Sequence, residues 1–205
     1  MEPGTPREHA QSEKMRRWHE IEEEVARIGD ALGKGIDKGI RQAVVSLMVH
    51  GFHTDGSCEG HTDHGVPFPW VDVVSEFAQR LSDNSDYRKL SERTRARKIG
   101  AEERRELENL IERQKEENEK EYKRLLSLLD EFYNMSPEPT ISSRLAIEKG
   151  PWNQSRIQPD VVALQEGSGE AGQSVSQDMK VRQLTFYRQE IERFALFLKN
   201  KFLNS

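Results

Sequence analysis

The sequence has little cysteine, few aromatic residues and no long hydrophobic run. Its 205 residues include a single cysteine, Cys58, and aromatic residues make up 7% of the chain. A lone cysteine excludes an internal disulfide and fits a reducing compartment, so we expect a cytoplasmic protein. No segment approaches the roughly 18 apolar residues of a membrane helix, and the N-terminal segment lacks the apolar stretch of a signal peptide. The composition therefore predicts no association with membranes.

Charged residues, in contrast, are about as frequent as hydrophobic ones. They make up 33% of the chain against 34% for hydrophobic residues, and the formal net charge is -5. This fraction of hydrophobic residues is enough for a small core with solvated helical parts, but it is not enough to include the whole chain in a core. The net negative charge does not indicate a nucleic-acid partner, which would have to contact a local basic patch.

The hydrophobic spacing predicts an α+β fold. Apolar residues recur every three or four positions in some segments, whereas β-branched and aromatic residues cluster in short segments bounded by glycine or proline. We predict helices over 13–32, 36–50, 75–82, 101–133 and 178–203, and strands within 52–58, 65–74, 140–150 and 155–164. The amphipathic helices would pack on a small, mainly antiparallel sheet of about four strands, with one long charged helix.

The same pattern predicts one domain over residues 13–205. The preceding segment, 1–12, contains two prolines and a glycine and is interpreted as a disordered lead-in. The segment between the third and fourth helices, 83–100, is interpreted as a mobile connection. The Gly- and Ser-rich stretch 165–177 is predicted to be a flexible loop. The two strands before the third helix would form a hairpin with a polar loop at its tip.

The helix predicted over 101–133 is long and rich in charged residues. Its first half carries acidic and basic side chains at spacings that allow pairs four residues apart. Leu107 and Leu110 begin an apolar stripe, but Gln114 and Asn118 interrupt it, which weakens a coiled-coil interpretation. Self-association, or binding of a protein partner, through this helix is one hypothesis for function.

The segment VHGFHTDGSCEGHTDHGVPFPW holds four of the six histidines and the only cysteine. Cysteine, histidine and acidic side chains are the usual zinc ligands, and a site takes three or four of them. Cys58, His61 and His64 follow the spacing C-x2-H-x2-H, with His53 and Asp55 upstream. The segment therefore predicts a site for zinc or another divalent metal.

The same segment also supports a catalytic interpretation. A thiolate is a nucleophile and a neighbouring imidazolium favours its formation, so Cys58 would act with His61 as a nucleophile or a general acid. Glu59 or Asp63 would orient the histidine. Backbone amides exposed beside glycine can bind an anion such as phosphate. The ligand-binding residues would be Gly56, Ser57, Gly60 and, on the following strand, Asp72. A third interpretation is a polar turn around a buried cysteine, because aspartate is common in turns.

The stretch VVSLMVHGFHTDGSCEGH carries a resemblance to known proteins. It resembles a recurring segment of uncharacterised bacterial and phage proteins, in which a helix ends at glycine before an S-C-x-G-H element. It is also similar to the S-S-C-S-G-R element of the wybutosine-synthesis tRNA methyltransferase family at Ser57, Cys58 and Gly60. This chain has Gly56 and Glu59 where that family has serine, and a histidine in place of its arginine. The resemblance implies that this segment is a functional element, but it does not imply a particular activity for this chain.

Two further features are candidates for ligand contact. The basic run YRKLSERTRARK could contact phosphate groups of a nucleic acid or nucleotide, but flanking acidic residues favour a solvated helix entry. Trp152 could stack on a base or ligand, although such a tryptophan more often covers a core. The chain has no Walker loop, G-x-G-x-x-G or H-E-x-x-H motif, which disfavours the common nucleotide, dinucleotide and zinc-protease classes.

Two hypotheses for function follow from the sequence. In the first, a small cytoplasmic protein has a metal or ligand site in loop 50–64 and acts on a phosphorylated small molecule or nucleotide. In the second, the protein is a non-catalytic binding or oligomerisation module. Its loop is then structural, and the helix over 101–133 is the surface that binds a partner or a second copy.

Overall fold

The computed structural model describes residues 6–29, 33–96, 98–135, 144–160 and 176–205. Within these ranges the fold is α+β, as predicted, with six α-helices and one antiparallel sheet of four strands. The helices are α1 (Pro6–Arg27), α2 (Lys38–Val49), α3 (Glu76–Asp83), α4 (Ser85–Arg95), α5 (Ala101–Met135) and α6 (Gln177–Asn204). The strands are β1 (His53–Cys58), β2 (Trp70–Val74), β3 (Leu145–Lys149) and β4 (Ser155–Pro159). None of these helices has the length and apolar character needed to cross a membrane.

The sheet has the strand order β1-β2-β4-β3, and each neighbouring pair is antiparallel. Strands β1 and β2 form the predicted hairpin, with Cys58 opposite Trp70 at the end next to the loop. Val71 and Val73 on β2 are 0% and 1% exposed, because alternate residues of a strand share a face and this face meets the core. The sheet therefore places the polar loop, residues 59–69, at the tip of a well-anchored hairpin.

Helix α2 lies at the centre of the core, as its apolar sequence predicts. Its residues Ile40, Val44 and Leu47 are at most 1% exposed. The helix packs against α1, α6 and β1. After it the chain turns at Gly51, which has a φ of +80°, a conformation that glycine adopts without steric cost. The first strand, β1, then packs against this helix.

Helix α1 begins at Pro6, so residues 6–12 are helical rather than the disordered lead-in that we predicted. Trp18, Ile21 and Val25 form the buried face of α1, as the apolar spacing predicts. Residues 1–5 of the predicted lead-in lie outside the described residues.

The predicted mobile connection contains a regular helix, α4. Asn84 caps it, since its Oδ1 accepts hydrogen bonds from the backbone N–H groups of Asp86 (2.8 Å) and Tyr87 (3.1 Å). Amides in the first turn of a helix have no partner within it, and an asparagine cap satisfies two of them. The cap therefore accounts for a helix in a segment with little apolar sequence.

Helix α6 begins at Gln177, at the end of the predicted flexible loop. The Ser176 side chain caps this helix by accepting a hydrogen bond from the backbone N–H of Met179. Residues 165–175 of that predicted loop lie outside the described residues.

Helix α5 spans 35 residues and buries much of its apolar stripe within its own chain. Leu107, Leu125 and Leu129 are at most 7% exposed. The helix packs against α3, α4, β3 and the 3-10 turn Pro151–Asn153 that joins β3 to β4. Pairing of this helix with a second copy stays a prediction.

His50, at the C-terminal end of α2, faces α6. Its Nε2 lies 2.8 Å from the backbone carbonyl oxygen of Leu198, and its ring meets the Phe202 ring edge-on. Burial lowers the pKa of His50, and the positive charges of Lys201 and Arg124 lower it further. The hydrogen bond to the Leu198 carbonyl raises this pKa but does not outweigh them. This histidine therefore serves the packing of α6 against α2.

We expect this histidine to make the free energy of unfolding depend on pH. As the pH falls below about 6.5, the unfolded chain binds a proton at His50 before the folded protein does, so stability decreases. His50→Gln keeps a hydrogen-bond donor and should reduce the decrease, as measured by denaturant unfolding at a series of pH values. His19→Gln, on the exposed side of α1, is the matched control for the loss of a histidine. Equal pH dependence of the unfolding free energy in the two variants would contradict the assignment of this dependence to His50.

Candidate functional site

Hydrogen bonds from two helices fix the loop that follows β1. Glu59 Oε2 accepts a hydrogen bond of 2.7 Å from the backbone N–H of Gly39 in the first turn of α2. A carboxylate is favourable there because those amides lack partners within the helix. Arg188 of α6 donates from Nε to the Glu59 carbonyl oxygen (2.8 Å) and from Nη2 to the Gly60 carbonyl oxygen (2.6 Å). The loop is therefore held between the N-terminus of α2 and the side of α6.

Gly60 makes the tight turn that follows the cysteine. Its φ is +77°, and a Cβ at this position would lie 2.6 Å from the carbonyl carbon of Phe68 and 2.7 Å from Cδ1 of Leu184. Only glycine combines this conformation with such close packing. The Gly60 N–H donates to Cys58 Sγ at 3.3 Å. This amide is therefore directed at the sulfur, whereas the sequence had suggested an external anion as its partner.

Asp37, Cys58 and His61 bring three metal-ligating side chains together. A carboxylate oxygen, the Sγ and an imidazole nitrogen all lie within 4.8 Å of one another. His61 Nε2 is 3.5 Å from Asp37 Oδ2, and these side chains are only 17% and 15% exposed. Partial burial strengthens electrostatic interactions because less water screens them. The three side chains supply the three ligand types that zinc uses in proteins.

Asp37 is held in its charged form by its neighbours. Burial would raise the pKa of this carboxyl group. A hydrogen bond from Lys34, another from the backbone N–H of Glu59 and the charges of Lys34 and His61 together bring the pKa below its ordinary value. Lys34 Nζ lies 3.3 Å from Asp37 Oδ1. Because a metal binds the deprotonated carboxylate, Asp37 is ready to act as a ligand at neutral pH.

His61, Asp63 and His64 form a second candidate group that shares one histidine with the first. The rings of His61 and His64 stack with their centroids 4.1 Å apart, and His64 Nδ1 lies 2.8 Å from Asp63 Oδ1. The Asp63 and His64 side chains are 79% and 61% exposed. Exposed side chains lose more conformational entropy when a metal orders them, so this group is the weaker arrangement.

The structure places the other two predicted metal ligands elsewhere. His53 is the first residue of β1 and pairs with Val74 of β2. Asp55 lies at an irregularity of the same strand, between Thr54 and Gly56, and is exposed. Neither residue joins the two candidate groups found in the described part of the chain.

Gly56 and Ser57, predicted to bind a ligand, line a groove of about 340 Å³. The same groove is lined by Lys34 and by the candidate ligand Asp37. A Cβ at Gly56 would lie 3.2 Å from the Trp70 ring, so this glycine also allows the hairpin to pack closely. The groove therefore joins two predicted ligand-binding residues to the candidate metal group.

Asp72 and Glu59 have structural partners. Asp72 is 7% exposed, and its two carboxylate oxygens accept hydrogen bonds from Nε (2.7 Å) and Nη2 (2.8 Å) of Arg156 on β4. Glu59 Oε2 bonds the amide of Gly39, and Glu59 Oε1 lies 3.2 Å from Arg188 Nη2. Both carboxylates therefore stabilise the fold around the site, and a catalytic role for Glu59 stays a prediction.

Two residues of the site, Asp37 and Arg188, were not predicted. Asp37 directly precedes α2, where an acidic residue commonly caps a helix, and this position was the available signal. Arg188 lies on α6, far along the chain from the loop whose carbonyl groups it binds. Their approach to Cys58 results from helix packing, which no local pattern encodes.

Comparison of this chain with protein-family models, with curated proteins and with solved structures gave no match. The resemblance of the Ser57–Gly60 element to other proteins therefore stays a prediction. The geometry of the site is the basis for the function proposed below.

Proposed function

We propose that this chain binds a divalent transition metal, with zinc as the expected ion, through Asp37, Cys58 and His61. The observation that carries the proposal is the convergence of their ligand atoms within 4.8 Å. A donor set of oxygen, sulfur and nitrogen suits zinc, whereas magnesium and calcium prefer oxygen ligands alone. A thiolate ligand has to stay reduced, which agrees with a cytoplasmic location.

The distances require only a small closure around an ion. Ligand atoms of tetrahedral zinc lie about 3.5 Å apart, given metal–ligand bonds of about 2.0–2.3 Å. The distance between His61 Nε2 and Asp37 Oδ2 is already 3.5 Å. Cys58 Sγ lies within 4.8 Å of both other ligand atoms, and a rotation about χ1 can shorten these distances.

Surrounding groups support each proposed ligand. Gly60 donates its N–H to Cys58 Sγ, and the Glu59 N–H and Lys34 bond the Asp37 carboxylate. Partners of this kind orient metal ligands, and losing one typically weakens metal affinity by about 10–100-fold. The loop therefore has the supporting contacts of a metal centre as well as its ligands.

The proposed activity is metal-dependent handling of a phosphorylated small molecule, nucleotides included. Three protein ligands leave one tetrahedral position open, and zinc held in this way supplies an activated water molecule and a Lewis acid. The groove lined by Gly56, Ser57 and Lys34 reaches Asp37. The Lys34 ammonium group, which also bonds Asp37, suits a phosphate, so this groove is the proposed ligand position.

Zinc titration under reducing conditions, by calorimetry and by competition with a chromogenic chelator, tests the proposal. We expect one ion per chain. Asp37→Asn, Cys58→Ser and His61→Ala should each weaken binding by more than about 100-fold, because loss of a ligand exceeds loss of a supporting partner. Circular dichroism and melting temperature of each apo variant check that the fold is retained.

Two histidine variants serve as matched controls. His53→Ala should bind zinc like the unmodified chain, since His53 lies outside both candidate groups. His64 belongs only to the second group, so a loss in His64→Ala with normal binding in Asp37→Asn would overturn the proposed ligand set. Failure of the unmodified, reduced chain to bind zinc, cobalt or nickel would overturn the proposal as a whole.

A further inference from the structure

A cavity of about 430 Å³ lies among α3, α4, α5 and the turn between β3 and β4. None of the three proposed metal ligands lines it. Its lining includes aromatic Trp152, cationic Arg88 and Arg95, and polar Gln114. The volume falls within the range of about 300–1,000 Å³ found for small-molecule sites. The basic run and the tryptophan, two separate features of the sequence, therefore meet at one cavity.

Trp152 has a backbone conformation that bulky residues rarely adopt. Its φ and ψ are 54° and 31°, and Asn153, which follows it, has a φ of 58°. The left-handed region is unfavourable for residues with a Cβ, and least expected for large side chains. Trp152 is also 48% exposed, so full burial does not offset the strain. Strain of this kind concentrates at functional sites.

A buried asparagine of α5 holds this turn in place. Asn118 is 1% exposed, and its Nδ2 donates to the Trp152 carbonyl oxygen at 2.9 Å. Its Oδ1 accepts a hydrogen bond of 2.8 Å from the backbone N–H of Ser75. Asn153 Nδ2 adds a longer contact of 3.5 Å to the Lys115 carbonyl oxygen. The fold therefore stabilises an otherwise unfavourable turn and presents an indole ring at the cavity.

Gln114 supplies an unused hydrogen-bond acceptor at the same place. Its Oε1 is buried and has no hydrogen-bond partner among the described residues. Buried polar atoms are normally paired, so such an atom calls for a donor. Gln114 lines the cavity, but its Oε1 is covered by protein atoms. A rotation of this side chain would turn Oε1 toward the cavity, where the amino group of a planar ligand lying against Trp152 can donate to it.

The cations of the cavity come from one face of α4. Arg88 and Arg95 are seven residues apart, a spacing that places them on the same side of a helix. The guanidinium group matches the geometry of phosphate oxygens. Asp55 and Glu92 also line the cavity, and their carboxylates suit the hydroxyl and amino groups of a ligand rather than its phosphate.

We propose that this cavity binds a nucleotide. Its base stacks on Trp152, an amino group of the base donates to Gln114 Oε1, and its phosphate contacts Arg88 and Arg95. Aromatic stacking recognises the face of any base, whereas the amide oxygen selects bases that carry an amino group. The proposal is independent of the metal centre.

Titration of the full chain with adenosine 5′-monophosphate, followed by calorimetry, tests the proposal. We expect binding, at least tenfold weaker binding of adenosine, and weaker binding of inosine 5′-monophosphate, which lacks the amino group. A short oligoadenylate distinguishes the source of the nucleotide. Tighter binding of the oligomer assigns the cavity to single-stranded nucleic acid, and equal binding assigns it to free nucleotides.

Trp152→Gly separates a ligand contact from a packing role. Glycine adopts the left-handed backbone freely, so this variant should keep its melting temperature while binding weakens by at least about tenfold. Arg95→Gln should also weaken binding. Arg93→Gln is the matched control, because Arg93 lies on the same helix but pairs with Glu103. Absence of binding at millimolar nucleotide, normal binding by Trp152→Gly, or equal losses in the two arginine variants would each overturn the proposal.

Discussion

Gly60→Ala should lower the free energy of unfolding by about 2–5 kcal/mol. The left-handed conformation costs a residue with a Cβ about 1–2 kcal/mol, and overpacking adds about 1–3 kcal/mol. The added carbon would lie 2.6 Å from the Phe68 carbonyl carbon, a backbone atom that cannot rotate away. Denaturant unfolding followed by circular dichroism measures the change.

Gly65→Ala is the matched control for this substitution. Gly65 lies in the same loop and has a φ of +63°, and a Cβ added there would meet no atom of the described residues within 4 Å. It should therefore show only the conformational cost, about 1 kcal/mol after the smaller entropy of the unfolded alanine chain is included. Equal losses in the two variants would contradict the close packing of Gly60.

Gly60→Ala should also weaken zinc binding at the proposed centre. Gly60 donates to Cys58 Sγ through its N–H and accepts from Arg188 through its carbonyl. A backbone shift at residue 60 that relieves the contact with Phe68 would move both this N–H and this carbonyl group. Zinc affinity in Gly60→Ala, compared with Gly65→Ala, would therefore report how far the turn positions the thiol.

The hairpin and most helices could be predicted because their signals are local. Alternating β-branched residues mark β2, and apolar residues three and four apart mark α2. Helix α4 was missed because none of its residues is buried, so apolar spacing is a weak guide there. Its available signal was Asn84, a cap followed by an acidic first turn.

Two of the three proposed ligands of the candidate metal centre could be predicted, for a geometric reason. Cys58 and His61 are separated by a tight turn, so nearness in sequence becomes nearness in space. His53 and Asp55 are also near Cys58 in sequence, but they lie in a strand that rises about 3.3 Å per residue. Asp37 comes from another element, and only the packing of α2 beside the hairpin brings it to the thiol.

Asp72 illustrates the same limit within the sheet. Its position opposite Gly56 agrees with the predicted hairpin. The pairing of β2 with β4 joins segments far apart in the chain, and it places Arg156 directly opposite Asp72. The bidentate arginine neutralises the charge of this carboxylate. Asp72 therefore stabilises the sheet and does not reach the loop.

Asn118→Leu should lower the free energy of unfolding by about 2–4 kcal/mol, although leucine has the same number of side-chain heavy atoms. The substitution leaves the buried N–H of Ser75 and the carbonyl group of Trp152 without their partner. An unsatisfied buried group such as the Ser75 N–H costs about 1–3 kcal/mol, and the partly buried Trp152 carbonyl adds about 1 kcal/mol. Asparagine at this position interrupts the apolar stripe of α5, and its hydrogen bonds explain why a leucine there would not stabilise the helix. Denaturant unfolding measures the loss.

Gln114→Met is the matched control one helical turn earlier. Gln114 also interrupts the stripe, but its buried Oε1 has no partner among the described residues, so replacing the amide removes no hydrogen bond from that atom. We expect its free energy of unfolding to stay within about 0.5 kcal/mol of the unmodified chain or to rise. Nucleotide binding should respond in addition, since Gln114→Met removes the proposed acceptor for the base. A stability loss in Gln114→Met equal to that of Asn118→Leu would mean that both polar residues are structural, and it would remove the amide oxygen from the proposed nucleotide site.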